Sequence, residues 1–244
     1  MTKTTVLSVL AGLSFACAST ALAQSPVTLP PQYYVNVNVG AQTPGHTTNA
    51  TSTYTLYDED GKLDATYNSR SGVLFDIGGG RRIWRNMTVG ASYSRFGQKA
   101  TGSAVATIPN PLFFDQPVVT GSIGLGELEH SEDALHVTAT FWFPITDKID
   151  VTVGAGPSFI WVTQQVATGV NVTPGTQNFE SFIIQSQSGT AFGVNVGGDV
   201  NYMYTDHIGG GLFVRYAGGS VDLPNAPGLS VGGFQVGLGL RLRF

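Results

Sequence analysis

Val231 to Phe244 reads VGGFQVGLGLRLRF and alternates without a break. Phe234, Val236, Leu238, Leu240, Leu242 and Phe244 share one parity, while Gly233, Gln235, Gly237, Gly239, Arg241 and Arg243 share the other. A period of two is a β-strand with one apolar and one polar face. A soluble sheet would bury the apolar face in a core. A membrane barrel would turn it to lipid and keep the arginines in the lumen. The remaining chain decides between them.

Working back from that strand, seven more segments alternate in the same way: Tyr33 to Ala41, Val73 to Arg82, Met87 to Phe96, Ala134 to Phe143, Ile149 to Trp161, Thr190 to Tyr204 and Ile208 to Ala217. The connections run long, short, long, short, long, short, long. Short turns fall near Trp84-Arg85-Asn86, at Pro144 to Lys148 and at Thr205-Asp206-His207; the long ones cover 42–70, 97–133, 162–189 and 218–230. Hairpins of a membrane barrel have this rhythm, with short periplasmic turns and long outer loops. The pattern predicts an all-β, eight-stranded antiparallel transmembrane β-barrel over 33–244. Tyr33, Trp84, Phe143, Trp161, Tyr202, Tyr204, Tyr216 and Phe244 cluster near strand ends, as interfacial girdles require.

Composition agrees. Charged residues are 11 % and glycines number 32 of 244. No apolar run is long enough for a membrane helix. A net charge of −4 argues against nucleic acid as a partner. Residues 1–23 have the form of a secretory signal, with Lys3, an apolar stretch and Ala21-Leu22-Ala23. Residues 24–32 form a Pro-containing periplasmic leader. The single cysteine, Cys17, lies within the signal, so the mature chain is expected to have no disulfide.

With the signal, the eight alternating strands and the closing L-R-L-R-F in place, the chain resembles the small outer-membrane barrels of the OmpA, OmpX and OmpW types and the opacity-type surface proteins. The resemblance implies residence in the bacterial outer membrane among its lipids. It also implies that Phe234, Leu238, Leu240, Leu242 and Phe244 form an assembly signal read by the barrel-insertion machinery. Members of this group serve as envelope structure, adhesins, resistance factors or narrow pores. The expected role is structural or surface-interacting, with an extracellular or host partner met through the long loops; the alternative is a narrow channel for small or hydrophobic solutes.

Little in the sequence carries chemistry. His46, His130, His136 and His207 are scattered and lack metal-ligand spacing. Asp58-Glu59-Asp60-Gly61 with Asp64 does not match a calcium loop and reads as a solvated acidic connection. No G-x-S-x-G occurs. Neither a cofactor nor enzymatic activity is expected. Inward parity instead gathers Asp76, Arg82, Asp199, Arg215 and Arg241 in a bore just wide enough for side chains, with Asp199 opposite Phe213 and diagonal to Arg215. Buried charges need partners, so these are expected to form a network that plugs the lumen. Leu112, Phe113 and Phe114 form an apolar patch on a connection that should be exposed. Val166 to Ile184 is expected to project beyond the membrane as a hairpin.

Overall fold

The computed structural model describes residues 31–43 and 47–244, with Thr47 and Thr48 as backbone only. The expected signal 1–23, most of the leader 24–32, Cys17 and His46 lie outside the described residues. The described residues form eleven strands: β1 (Tyr33–Thr43), β2 (Thr47–Leu56), β3 (Glu59–Asn68), β4 (Gly72–Trp84), β5 (Met87–Ile108), β6 (Val118–Val119), β7 (Ile123–Pro144), β8 (Ile149–Val172), β9 (Phe179–Met203), β10 (Ile208–Leu223) and β11 (Ala226–Arg243).

Eight of these close a ring in the order β1, β4, β5, β7, β8, β9, β10, β11 and back to β1, every pair antiparallel. The seam is held by backbone bonds between first and last strands: Tyr33 N–H donates to Phe244 O at 3.0 Å and Phe244 N–H to Tyr33 O at 2.9 Å. Closure leaves no edge in the lipid, where an unpaired backbone group is costly. Two of the short turns use one device. In Thr146-Asp147-Lys148 and Thr205-Asp206-His207, the threonine Oγ1 accepts N–H groups two and three residues on.

The strands are longer than the alternation of apolar residues suggests, and all four long connections expected, 218–230 included, are largely sheet. Residues 42–70 contain the β2–β3 hairpin, whose turn at Tyr57-Asp58 has φ of 54° and 63°. The acidic group is therefore the tip of a hairpin. Residues 97–133 continue β5 and β7 with eighteen paired positions between them, starting at Met87 and Phe141. β8 and β9 stay paired to Val172 and Phe179, so 166–184 is a hairpin that continues these two strands.

The reason is an inversion of polarity along each wall. On β7, Leu135, Val137, Phe141 and Phe143 face outward, while His136 and Trp142 are buried inside. Above Ala134 the outward residues are Glu129, Ser131 and Asp133, and Leu128 is buried within. On β8 the inward face passes from Asp150, Thr152 and Ser158 to Ile160, Val162 and Val166. On β5 the outward Val89 and Tyr93 give way to Arg95 and Lys99, while the inward face becomes Phe96, Ala100, Ala104, Ala106 and Ile108. The lower barrel is thus apolar outside and polar within. The upper barrel is polar outside and filled by an apolar core that also takes in Leu63 and Tyr67 of β3, Val221, Leu223, Leu229 and Val231. Each large aliphatic side chain buried there contributes about 1.5–3 kcal/mol.

Candidate functional site

The lower lumen is crossed by a continuous chain of side-chain hydrogen bonds. At the periplasmic end Arg243 donates to Asp150 Oδ2 at 2.5 Å, and its guanidinium lies 4.9 Å from the centre of the Trp142 ring. Asn201 donates to Asp150 Oδ1 at 2.8 Å and accepts from Arg241 Nε at 2.6 Å. Arg241 also donates through Nη2 to Asp199 Oδ1 at 2.8 Å and through Nη1 to Asn38 Oδ1 at 2.5 Å. Asn38 passes the chain to Asp76 Oδ1 at 2.8 Å, and Arg215 Nη2 donates to Asp76 Oδ2 at 2.8 Å. Glycines make the room. A Cβ on Gly211 would stand 2.8 Å from Arg241 Nε, and one on Gly239 would stand 2.6 Å from Nη1.

The residues expected to meet in the lumen are placed as follows. Asp199 sits opposite Phe213, but the arginine that reaches it is Arg241, and Arg215 crosses the bore to Asp76. Arg82 is on the inward parity of β4, six residues below Asp76, about 20 Å along the strand. Phe234, Leu238 and Leu240 face outward on β11 and Phe244 is exposed just past its end, with Leu242 partly covered.

A second polar layer, not anticipated in the sequence, lies above Leu74, Phe96 and Phe213, which pack together across the bore. Arg215 Nε donates to Gln235 Oε1 at 2.6 Å, Gln235 Nε2 to Gln42 Oε1 at 2.6 Å, and Gln42 Nε2 to Glu132 Oε2 at 2.8 Å. Gly232 N–H, at a backbone φ of 86°, donates to the same carboxylate at 3.0 Å. His130 Nε2 lies 2.9 Å from Glu132 Oε1, and its Nδ1 lies 2.6 Å from Gln164 Oε1. The two-residue spacing of His130 and Glu132 on an alternating strand was the available signal. His136 is held between Ser94 at 3.0 Å and Ser158 at 2.7 Å, wholly buried. Beside the lower network is a cavity of about 100 Å³ lined by Asn36, Thr138, Thr140 and Thr152 among others.

The outer end carries the other candidate. Leu112, Phe113 and Phe114 are 79, 59 and 75 % exposed. Their loop is fixed: Asn110 Oδ1 accepts from Leu112 N–H and Phe113 N–H, Asp115 N–H donates to Glu59 at 3.0 Å, and Asn110 Nδ2 donates to Gln177 at 3.1 Å. Among the described residues no group of three or more His, Cys, Asp or Glu side chains could hold a metal ion.

A closed antiparallel ring with an apolar outer belt and a polar bore defines a transmembrane β-barrel. The chain belongs to the family described as outer membrane protein beta-barrel domain, which matches residues 8–241, and the bacterial outer membrane is its location. Among solved structures it is similar to Neisserial surface protein A, at 14 % identity and TM-score 0.46, covering 87 % of this chain and 97 % of that one. It is similar to OprG of Pseudomonas aeruginosa at 12 % identity and TM-score 0.46, with 88 % and 97 % covered. Ail, the attachment invasion locus protein of Yersinia pestis, matches at 11 % identity and TM-score 0.39, with 86 % and 99 % covered. No curated protein matches the chain.

Proposed function

We propose that this protein is a closed barrel that presents a folded outer head for surface interaction, without catalysis and without an open pore. The observation that carries the reading is the unbroken path of hydrogen bonds from Arg243 through Asp76 and Arg215 to Gln164, topped by an apolar core. Side chains that satisfy one another across the bore resist displacement, because each loss leaves a buried polar group without its partner. Above this plug, the fixed and exposed Leu112, Phe113 and Phe114 supply an apolar contact for an extracellular partner. Residues 1–23 act as the export signal, 24–32 as a periplasmic leader, and the outward face of β11 as the signal for the insertion machinery.

A second reading, a narrow channel for small or hydrophobic solutes, draws on the cavity beside Asp76 and Asp199. Planar-bilayer recording separates the two. The closed-barrel reading expects no steady conductance from the wild type. Large steady wild-type currents would overturn it in favour of the channel.

A further inference from the structure

Three turns meet at the outer end of the head. Tyr57, in the β2–β3 turn, donates its hydroxyl to Thr176 O at 2.8 Å. Gln177, in the β8–β9 turn, donates through Nε2 to Ile108 O at 2.9 Å and to Gln116 O at 3.2 Å. Glu59 accepts from Asp115 N–H at 3.0 Å. The loop between β5 and β6 is thus clamped by both neighbouring turns, and a surface already held in one shape loses little freedom when it binds.

The clamp displays apolar side chains. Leu112, Phe113 and Phe114 are largely exposed, and Val118 and Val119 of β6, at the far end of the loop, are 46 and 62 % exposed. Lipid does not account for them, since they stand beyond the outward Arg95 and Lys99 of β5.

Their setting is acidic and uncompensated. Asp58, Asp60 and Asp115 are exposed, and among the described residues none of these carboxylates takes part in an ion pair or a side-chain hydrogen bond. Lys62 is taken by Asp64 at 2.8 Å. Lys99 is taken by Glu127 at 2.8 Å, about 30 Å below Ile108 along β5.

This pairing of apolar side chains with free carboxylates selects among occupants. Asp115 directly follows Phe114, so covering the aromatics also takes that carboxylate out of water. Against a neutral apolar surface the loss goes uncompensated. A second copy of the tip, or an anionic membrane, sets like charge against like. A surface that carries lysines or arginines beside apolar side chains satisfies both parts, and its cations can also lie over the Phe113 and Phe114 rings.

We propose that this tip docks a cationic amphipathic segment of an extracellular protein, with Leu112, Phe113 and Phe114 on its apolar face and Asp58, Asp60 and Asp115 on its lysines or arginines. The inference rests on the surface-interaction reading and gives the partner a chemistry.

The test holds the full chain in phosphatidylcholine nanodiscs, subtracts empty nanodiscs, and reads binding by surface plasmon resonance. The probes are a short amphipathic peptide of leucine and lysine, its counterpart of leucine and glutamate, an oligolysine of equal charge, and phosphatidylglycerol vesicles. The leucine–lysine peptide is expected to bind at least about tenfold more tightly than the other three, and less tightly as salt rises. Phe113→Ser with Phe114→Ser should weaken it about tenfold or more. Asp58→Asn, Asp60→Asn and Asp115→Asn together should weaken it and flatten the salt dependence. Asparagine is tolerated at the positive φ of Asp58 and Asp115, 63° and 57°. Asp147→Asn, in a periplasmic turn, should change nothing. Gel migration with and without heating verifies that each variant is folded. Equal binding of oligolysine or of the vesicles would overturn the proposal, as would the absence of binding by any probe or undiminished binding by the folded triple asparagine variant. Binding of the leucine–glutamate peptide that is lost in Phe113→Ser with Phe114→Ser would overturn the proposed charge of the partner while keeping the tip as an interaction surface.

Discussion

Arg215 and Asp76 lie 139 positions apart in sequence and meet across the bore at 2.8 Å, with side chains 12 and 5 % exposed. Neither strand neighbours the other: β10 and β4 are separated around the ring by β11 and β1. The pair therefore braces opposite walls.

Removing one side of this brace leaves a buried charge. Arg215→Ala is expected to lower stability by about 3–5 kcal/mol, the range for breaking a buried pair from one side. Arg215→Ala with Asp76→Asn removes the orphaned charge and should cost less than Arg215→Ala alone. Urea-induced refolding equilibria in detergent measure both. A double variant less stable than the single one would mean that Asp76 is held mainly by Asn38 and not by the arginine.

Phe244 offers a way to separate recognition from stability. Its side chain is 65 % exposed and the seam it closes is made by backbone atoms. Phe244→Asp should therefore lower the stability of protein refolded in detergent by no more than about 1 kcal/mol, the range for a charge on the outer face near the interface. In cells it should sharply reduce outer-membrane levels. Normal cellular levels would remove β11 as an assembly signal.

The head carries its own titration. Burial pushes the Tyr54 phenol up to about 12, and its hydroxyl donates to Thr107 O at 3.0 Å. Folding favours the neutral phenol. Its contribution is whole below the ordinary tyrosine value of about 10 and is lost as pH climbs from there through about 12. The difference in phenolate absorbance between wild type and Tyr54→Phe should appear near pH 12. A difference centred near the ordinary value would mean that this side chain is solvated.

The lower barrel is legible in the sequence because lipid imposes a single rule: apolar out, for about ten residues per strand. Leu238 and Leu240 on β11, and Phe141 and Phe143 on β7, announce their face without reference to any other strand. The head obeys the opposite rule. Val162 and Val166 are as apolar as Val151 and Val153, yet they point inward while Thr163 faces solvent. Read with the lipid rule, that stretch looks like a loop. Pairing across the bore was legible only in part. Register placed Asp199 opposite Phe213, but strand neighbours say nothing of which arginine crosses the lumen. That depends on the space left by Gly211 and Gly239 around Arg241. The His130–Glu132 layer escaped because its partners Gln42, Gln164 and Gln235 come from three other strands.

The reversal of the wall between Phe159 and Val162 also gauges depth. Sinking the barrel by one outward step would push Arg95 and Asp133 into hydrocarbon. Raising it by the same step would lift Phe75 and Trp161 into water. Both displacements are opposed, each by several side chains at once. Like a hull with a painted draught mark, the protein has one height at which it floats, and that height fixes how far the tip at Phe113 stands above the cell.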